Sequence, residues 1–98
     1  MHETHVAINV SDDAGYQAYR DAMTPLLAEH GGSFRYDFRI EETLRAEADH
    51  PINRVFIICF PSAAAKERFF NNEQYMEVRR TLFDASVSDY TIIAEYER

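Results

Sequence analysis

Hydrophobic and polar positions alternate from His5 to Val10, with Val6, Ile8 and Val10 on one face and His5, Ala7 and Asn9 on the other. That period of two predicts a first strand. Ser11-Asp12-Asp13 then offers capping side chains, and Tyr16, Tyr19, Met23, Leu26, Leu27 and His30 recur at helical spacing as far as Gly31-Gly32. The pattern predicts one amphipathic helix, closed by glycine in the left-handed conformation. Pro25 is expected to kink this helix without breaking it, because the apolar stripe stays in phase on both sides.

The period returns to two from Ser33 to Ile40, where Phe34, Tyr36, Phe38 and Ile40 oppose Ser33, Arg35, Asp37 and Arg39. Glu41 to His50 carries charge without an apolar period and reads as an exposed connection ending at Pro51. Ile52 to Phe60 is a third strand with almost no polar position. Ser62 caps a helical segment, Ala63 to Phe70, Asn71-Asn72 punctuates, and Glu73 to Phe83 resumes a helical stripe through Tyr75, Val78 and Leu82. Tyr90 to Tyr96 forms a fourth strand.

Strand, helix, strand, strand, helix, strand is the split βαβ order of ferredoxin-like α+β folds, a four-stranded antiparallel sheet with both helices on one face. The first and third strands are central in that layout. The third is apolar on both faces, and one layer of helices covers only one of them, so the other face needs a cover from outside the chain. Sheet-to-sheet pairing of two copies supplies it. Length fits this reading, since 98 residues support one core and not two, and residues 1–98 are expected to form a single domain of a homodimer.

Charge and cysteine content narrow the partners. Seventeen acidic against ten basic residues give a net charge of −7 with no basic stripe, which argues against nucleic acid and against anionic membrane surfaces. No apolar run approaches the roughly 18 residues of a membrane span, and the start has no signal-peptide pattern, so a cytoplasmic protein is expected. The single Cys59 lies inside Val55-Phe56-Ile57-Ile58-Cys59-Phe60 and reads as a small buried hydrophobe. The four histidines fall in different elements at spacings that match no metal signature, so no metal is expected.

Tyr16-Gln-Ala-Tyr19-Arg20, Pro25-Leu-Leu-Ala-Glu-His-Gly31-Gly32, Phe60-Pro61-Ser62 and Tyr75 together span most of the chain. In these segments the sequence resembles the bacterial domain-of-unknown-function 1330 family, itself similar to dimeric α+β barrel proteins. The resemblance implies a homodimer in which two ferredoxin-like sheets enclose a pocket. Small haem-degrading monooxygenases of that barrel type are similar in size and layout, and Asn9 aligns with their first-strand Asn. The chain has no Trp and no His after His50, which argues against their mechanism here.

Four side chains stand out as candidate ligand-binding residues. His5 and Asn9 are expected to point into the space between the sheets, where an imidazole transfers protons near neutrality and an amide orients a substrate. Arg35, Asp37 and Arg39 share one face of the second strand on strict alternation, and two cations beside a carboxylate suit an anionic ligand or an ion pair across a dimer. Which face of that strand turns inward is left open, because Phe34, Tyr36 and Phe38 suit an apolar pocket equally well. Tyr16, Tyr19, Phe69, Phe70 and Tyr75 sit at helical spacings and read as core, and Arg20 reads as surface. The functional reading is a dimeric barrel that binds a small organic ligand between its sheets, with no cofactor, and with chemistry of cofactor-independent monooxygenase or isomerase type if any. The alternative is a dimerisation or regulatory module without catalysis.

Overall fold

A computed structural model covers residues 1–98. Strand β1 (His2–Val10) is followed by α1 (Asp13–Glu29), β2 (Ser33–Arg39) and β3 (Arg54–Phe60). Then come α2 (Ala63–Phe70), α3 (Glu73–Val78), a π-helical stretch (Arg79–Phe83), the short α4 (Asp84–Ser86) and β4 (Val87–Glu97). The strands form one four-stranded antiparallel sheet in the order β2-β3-β1-β4, with the helices packed on one face. β1 and β3 are central, as the ferredoxin-like order requires.

Local chemistry fixes the ends of the helices. Asp12 accepts from the Gly15 amide at 3.1 Å, Ser62 from Ala65 at 3.1 Å and Asn72 from Tyr75 at 3.0 Å, each capping orphan donors at a helix start. α1 runs unbroken through Pro25 and stops at Gly31, whose φ of 72° lies in the left-handed region. The Gly31 amide bonds to the Ala28 carbonyl and the Gly32 amide to the Leu27 carbonyl, the paired bonds of a Schellman close.

The core lies between the helices and one face of the sheet. Ile8, Phe56, Ile58 and Phe60 from the central strands meet Tyr16, Met23, Leu27, Phe69 and Tyr75 from the helices. Phe69 packs against Phe60 and Tyr75, with ring centroids 5.5 and 4.3 Å apart. Asn53 extends the β1–β3 ladder with its side chain, accepting from the Val10 amide at 2.7 Å and donating to the Val10 carbonyl at 2.9 Å.

Three bulges break the strict alternation of the edge strands, one in β2 and two in β4. In β2, Phe34 pairs with Ile58 and Tyr36 with Ile57, so Arg35 is the extra residue. Phe34 and Asp37 therefore face the helices, while Arg35, Tyr36 and Phe38 face the opposite, outer side. The expectation that Arg35, Asp37 and Arg39 share one face is thus corrected, because one inserted residue flips every side chain beyond it. In β4, His5 pairs with Ala94 and Val6 with Ile92, which leaves Ile93 unpaired.

The outer face carries Val55 and Ile57 of β3, with Tyr36 and Phe38 stacked beside them at 5.8 Å and about half exposed. The connection from Glu41 to His50 has no regular structure, as expected, but its end is pinned by a 2.7 Å hydrogen bond between His50 Nε2 and Thr91 Oγ1. Gly31→Ala is expected to destabilise the fold by about 1–2 kcal/mol. The new Cβ would need the left-handed backbone and would sit 2.8 Å from Pro61 Cγ. A fall in the urea midpoint at unchanged m-value checks this.

Candidate functional site

The four candidate residues do not converge. His5 lies on the outer face, with Nε2 2.8 Å from Tyr96 Oη, and the Tyr96 hydroxyl donates to Glu3 Oε1 at 3.4 Å. Glu3 is fully buried there and pairs with Arg35 at 3.3 Å and with Arg98. Burial pushes its carboxyl up, but the two arginines outweigh this and hold it below the ordinary value. Asn9, also on the outer face, donates to Ser88 Oγ at 2.8 Å.

Asp37 sits on the other side of the sheet. Arg54 grips it with two bonds of 2.8 Å, and Arg20 reaches it from α1 at 3.1 Å. Arg20 is not a surface residue: it is 8% exposed, donates to the Tyr16 hydroxyl at 2.7 Å and lies 3.8 Å over the Phe34 ring. A guanidinium this deep needs a carboxylate partner, and the β2 bulge brings Asp37 round to be that partner. Asp37 is thereby occupied as a strut between α1 and the sheet.

Beside this strut, between the helices and the sheet, is a cavity of 220 Å³ whose 16 lining residues include 12 hydrophobic ones. Val6, Phe34, Phe56 and Ile58 belong to its sheet side, and Tyr19, Met23, Phe70 and Phe83 to its helical side. Tyr90 and Ile92 of edge strand β4 also line it and are about half exposed, because the helical layer stops short of that strand.

A few polar groups converge on this apolar space. The hydroxyls of Tyr19 and Tyr75 are 2.7 Å apart, and burial pushes both phenols up, so both stay protonated. Arg79, four residues after Tyr75 and thus on the same helical face, starts the π-helical stretch. Its guanidinium lies 4.8 Å from the Phe83 ring centroid and 5.8 Å from that of Tyr90. Lys66 also lines the cavity and is paired with Glu95. Thr4 Oγ1 is buried on the cavity wall without any hydrogen-bond partner.

Tyr16, Tyr19, Phe69, Phe70 and Tyr75 are core residues as read from their spacing, with Phe70 only partly buried. The sequence reading missed that two of the tyrosines present hydroxyls to a cavity. The available signal was chemical: a buried Tyr hydroxyl requires a partner. Arg79 was missed because the stripe was read from Tyr75 through Val78 and Leu82 and not at the four-residue step; the π-helical stretch begins at it, and such turns cluster at functional sites.

An antiparallel βαββαβ sheet with its helices on one face defines a ferredoxin-like α+β fold. The chain belongs to the DUF1330 family, a domain of unknown function, whose sequence model matches residues 5–96. No curated protein matches it by sequence.

Solved structures share the fold. A protein of unknown function from Rhodopseudomonas palustris, RPA0582, is 20% identical with a TM-score of 0.84, over 99% of this chain and 81% of that one. A dabb family protein with a ferredoxin-like fold from Mesorhizobium loti is 19% identical with a TM-score of 0.68, covering 99% and 95%. A dimeric protein of unknown function and ferredoxin-like fold from Bacteroides fragilis is 10% identical with a TM-score of 0.63, covering 99% and 95%.

The strut makes a pH-dependent prediction. Partial burial pushes the Asp37 carboxyl up, but the hydrogen bonds from Arg54 and the charges of Arg20 and Arg54 outweigh this and hold it low. Its folded pKa lies below the unfolded value of about 3.9, so its stabilisation is complete above that pH and lost as pH falls through the depressed value. Asp37→Asn is expected to cost about 2–3 kcal/mol at neutral pH, less than for a fully buried pair, because 30% of the side chain is exposed. Urea midpoints of the two proteins should differ at neutral pH and converge only below about pH 4.

Proposed function

We propose that the chain is a single-domain homodimer, joined through its outer sheet faces, that binds one small and mainly apolar organic molecule in the helix-side cavity of each copy. The observation that carries the binding half is the cavity itself, 220 Å³ lined by 16 residues of which 12 are hydrophobic, with the half-exposed Tyr90 and Ile92 on its border. An apolar space with a few convergent polar groups is the usual form of a small-molecule site. Size narrows the ligand: a cavity of roughly 150 Å³ holds benzene. The 220 Å³ here suits a substituted ring or a compact bicycle.

The dimer half rests on the exposed outer-face aromatics Tyr36 and Phe38, next to Val55 and Ile57 of a strand that is apolar on both sides. The dimeric Bacteroides fragilis protein of the same fold supports it. His5, Asn9 and Arg35 then belong to the seam between the two copies, where they border the intersheet space as a second candidate ligand seat. Asp37 does not, being held by its two arginines on the helical side. The one cysteine is buried and free, which suits the reducing cytoplasm we assign as the compartment.

Binding is favoured over proton-shuttling chemistry, because the cavity lining includes no imidazole and no carboxylate to act as a base. Cofactor-independent oxygenation is the second reading. It asks the protein to hold an electron-rich substrate anion away from water, and hydroxyl donors beside a cation in an apolar space can stabilise one.

Two experiments test the halves separately. Titration with 2-naphthol, a two-ring molecule with one hydroxyl, is expected to move the NMR signals of Tyr19, Phe34 and Phe56. Val6→Phe, which fills the cavity, should weaken that binding by at least about tenfold, or about 1.4 kcal/mol. Binding indifferent to Val6→Phe would mean the ligand sits elsewhere. For the dimer, Ile57→Glu places a charge in the centre of the outer face and is expected to give a folded monomer by sedimentation. A wild-type protein already monomeric at micromolar concentration would refute the pairing.

A further inference from the structure

We infer that the cavity selects a small apolar carboxylate, and that Arg79 is the residue that reads it. This rests on the cavity-binding reading above and adds the charge of the ligand.

The charge inventory of the lining points one way. Its charged side chains are Arg20, Lys66 and Arg79, and no acidic residue lines the space. Two of these cations are already satisfied, Arg20 by Asp37 and Lys66 by Glu95. Arg79 makes no ion pair with any carboxylate in the chain, although it is partly buried and stacked against Phe83 and Tyr90. A half-desolvated guanidinium without a counter-ion, in a protein with seventeen acidic residues to choose from, is a vacancy for an anion.

Hydrogen-bond arithmetic at the tyrosine pair agrees. One hydroxyl of Tyr19 and Tyr75 donates to the other, and the Arg79 guanidinium that interacts with the Tyr75 hydroxyl can itself only donate. One O–H is therefore left to donate to a ligand. The space therefore presents a spare donor and a cation without a counter-ion to whatever occupies it. A carboxylate has two acceptor oxygens for the planar fork of arginine, with a lone pair left for the tyrosine, whereas a neutral amide of the same shape replaces one acceptor by a donor. The apolar walls take the rest of the molecule.

The test compares 2-naphthoate with 2-naphthamide, of the same shape and different charge, by calorimetric titration of the wild-type protein, Arg79→Gln and Arg79→Lys. Wild type should prefer the acid by at least about tenfold, as expected for a hydrogen-bonded charge. Arg79→Gln should abolish the preference by weakening the acid alone, and Arg79→Lys should restore it in part, by charge without the fork. Equal affinity of wild type for the two molecules would overturn the anion reading while 2-naphthol binding and its loss in Val6→Phe stand. Failure of all three probes to bind would overturn the cavity reading itself, and this inference with it. An unchanged acid preference in Arg79→Gln, with its urea midpoint at the wild-type value, would remove Arg79 from the site.

Discussion

The extra residue at Arg35 in β2 governs what each face of the sheet carries, because side chains beyond a bulge exchange faces. Without it, Asp37 would point outward with Arg35, and Arg20 would be buried on α1 with no counter-charge, a state costing on the order of 3–5 kcal/mol. With it, Phe34 and Asp37 both turn to the helices. Asp37 then ties α1 to β2 and β3 through Arg20 and Arg54. The same displacement sends Tyr36 and Phe38 to the outer face, so a single insertion neutralises the interior and enriches the outer face in aromatic rings. The cavity depends on this as well, since Arg20 lines it only because Asp37 holds it there.

A second constraint is that the helical layer is narrower than the sheet. It seals the central strands but leaves Tyr90 and Ile92 of β4 half exposed. Tight closure would have required larger side chains at Val6 or Met23. Instead the space is bordered by tyrosines, whose rings supply apolar wall and whose hydroxyls must find partners. Tyr19 and Tyr75 find each other, which keeps both neutral and leaves one donor over. The π-helical stretch serves the same region, carrying Arg79 and Phe83 on the face that Tyr75 begins, beside the packed Val78 and Leu82.

This explains which parts of the protein were legible in its sequence. β1, α1, β3 and α2 follow one period each and have chemically marked ends, so Asp12, Ser62 and the Gly31-Gly32 pair could be read directly. The fold and the doubly apolar β3 followed from them. The faces of β2 did not, because the bulge falls on an arginine and leaves no glycine to mark it. His5 and Asn9 were read onto the correct face, but Asp37 moved to the other and Arg20 moved inward. The cavity itself was not legible at all. It is a mismatch between layers, and spacing along one chain encodes which residues meet, not how much room is left between them.

The charge of the whole protein bears on an anionic ligand in a way that magnitudes can decide. A net charge of −7 repels an approaching carboxylate, but at physiological salt such repulsion is screened beyond about 8 Å. Its effect falls on the rate of approach. Inside the cavity the opposite holds, because apolar walls displace part of the water and ions that would screen Arg79, and a half-buried guanidinium interacts more strongly than one on the surface. The acidic exterior and the cationic interior are therefore not in conflict. The first repels polyanions at a distance, and the second acts only on a small anion close enough to reach the cavity, as the proposed ligand would be.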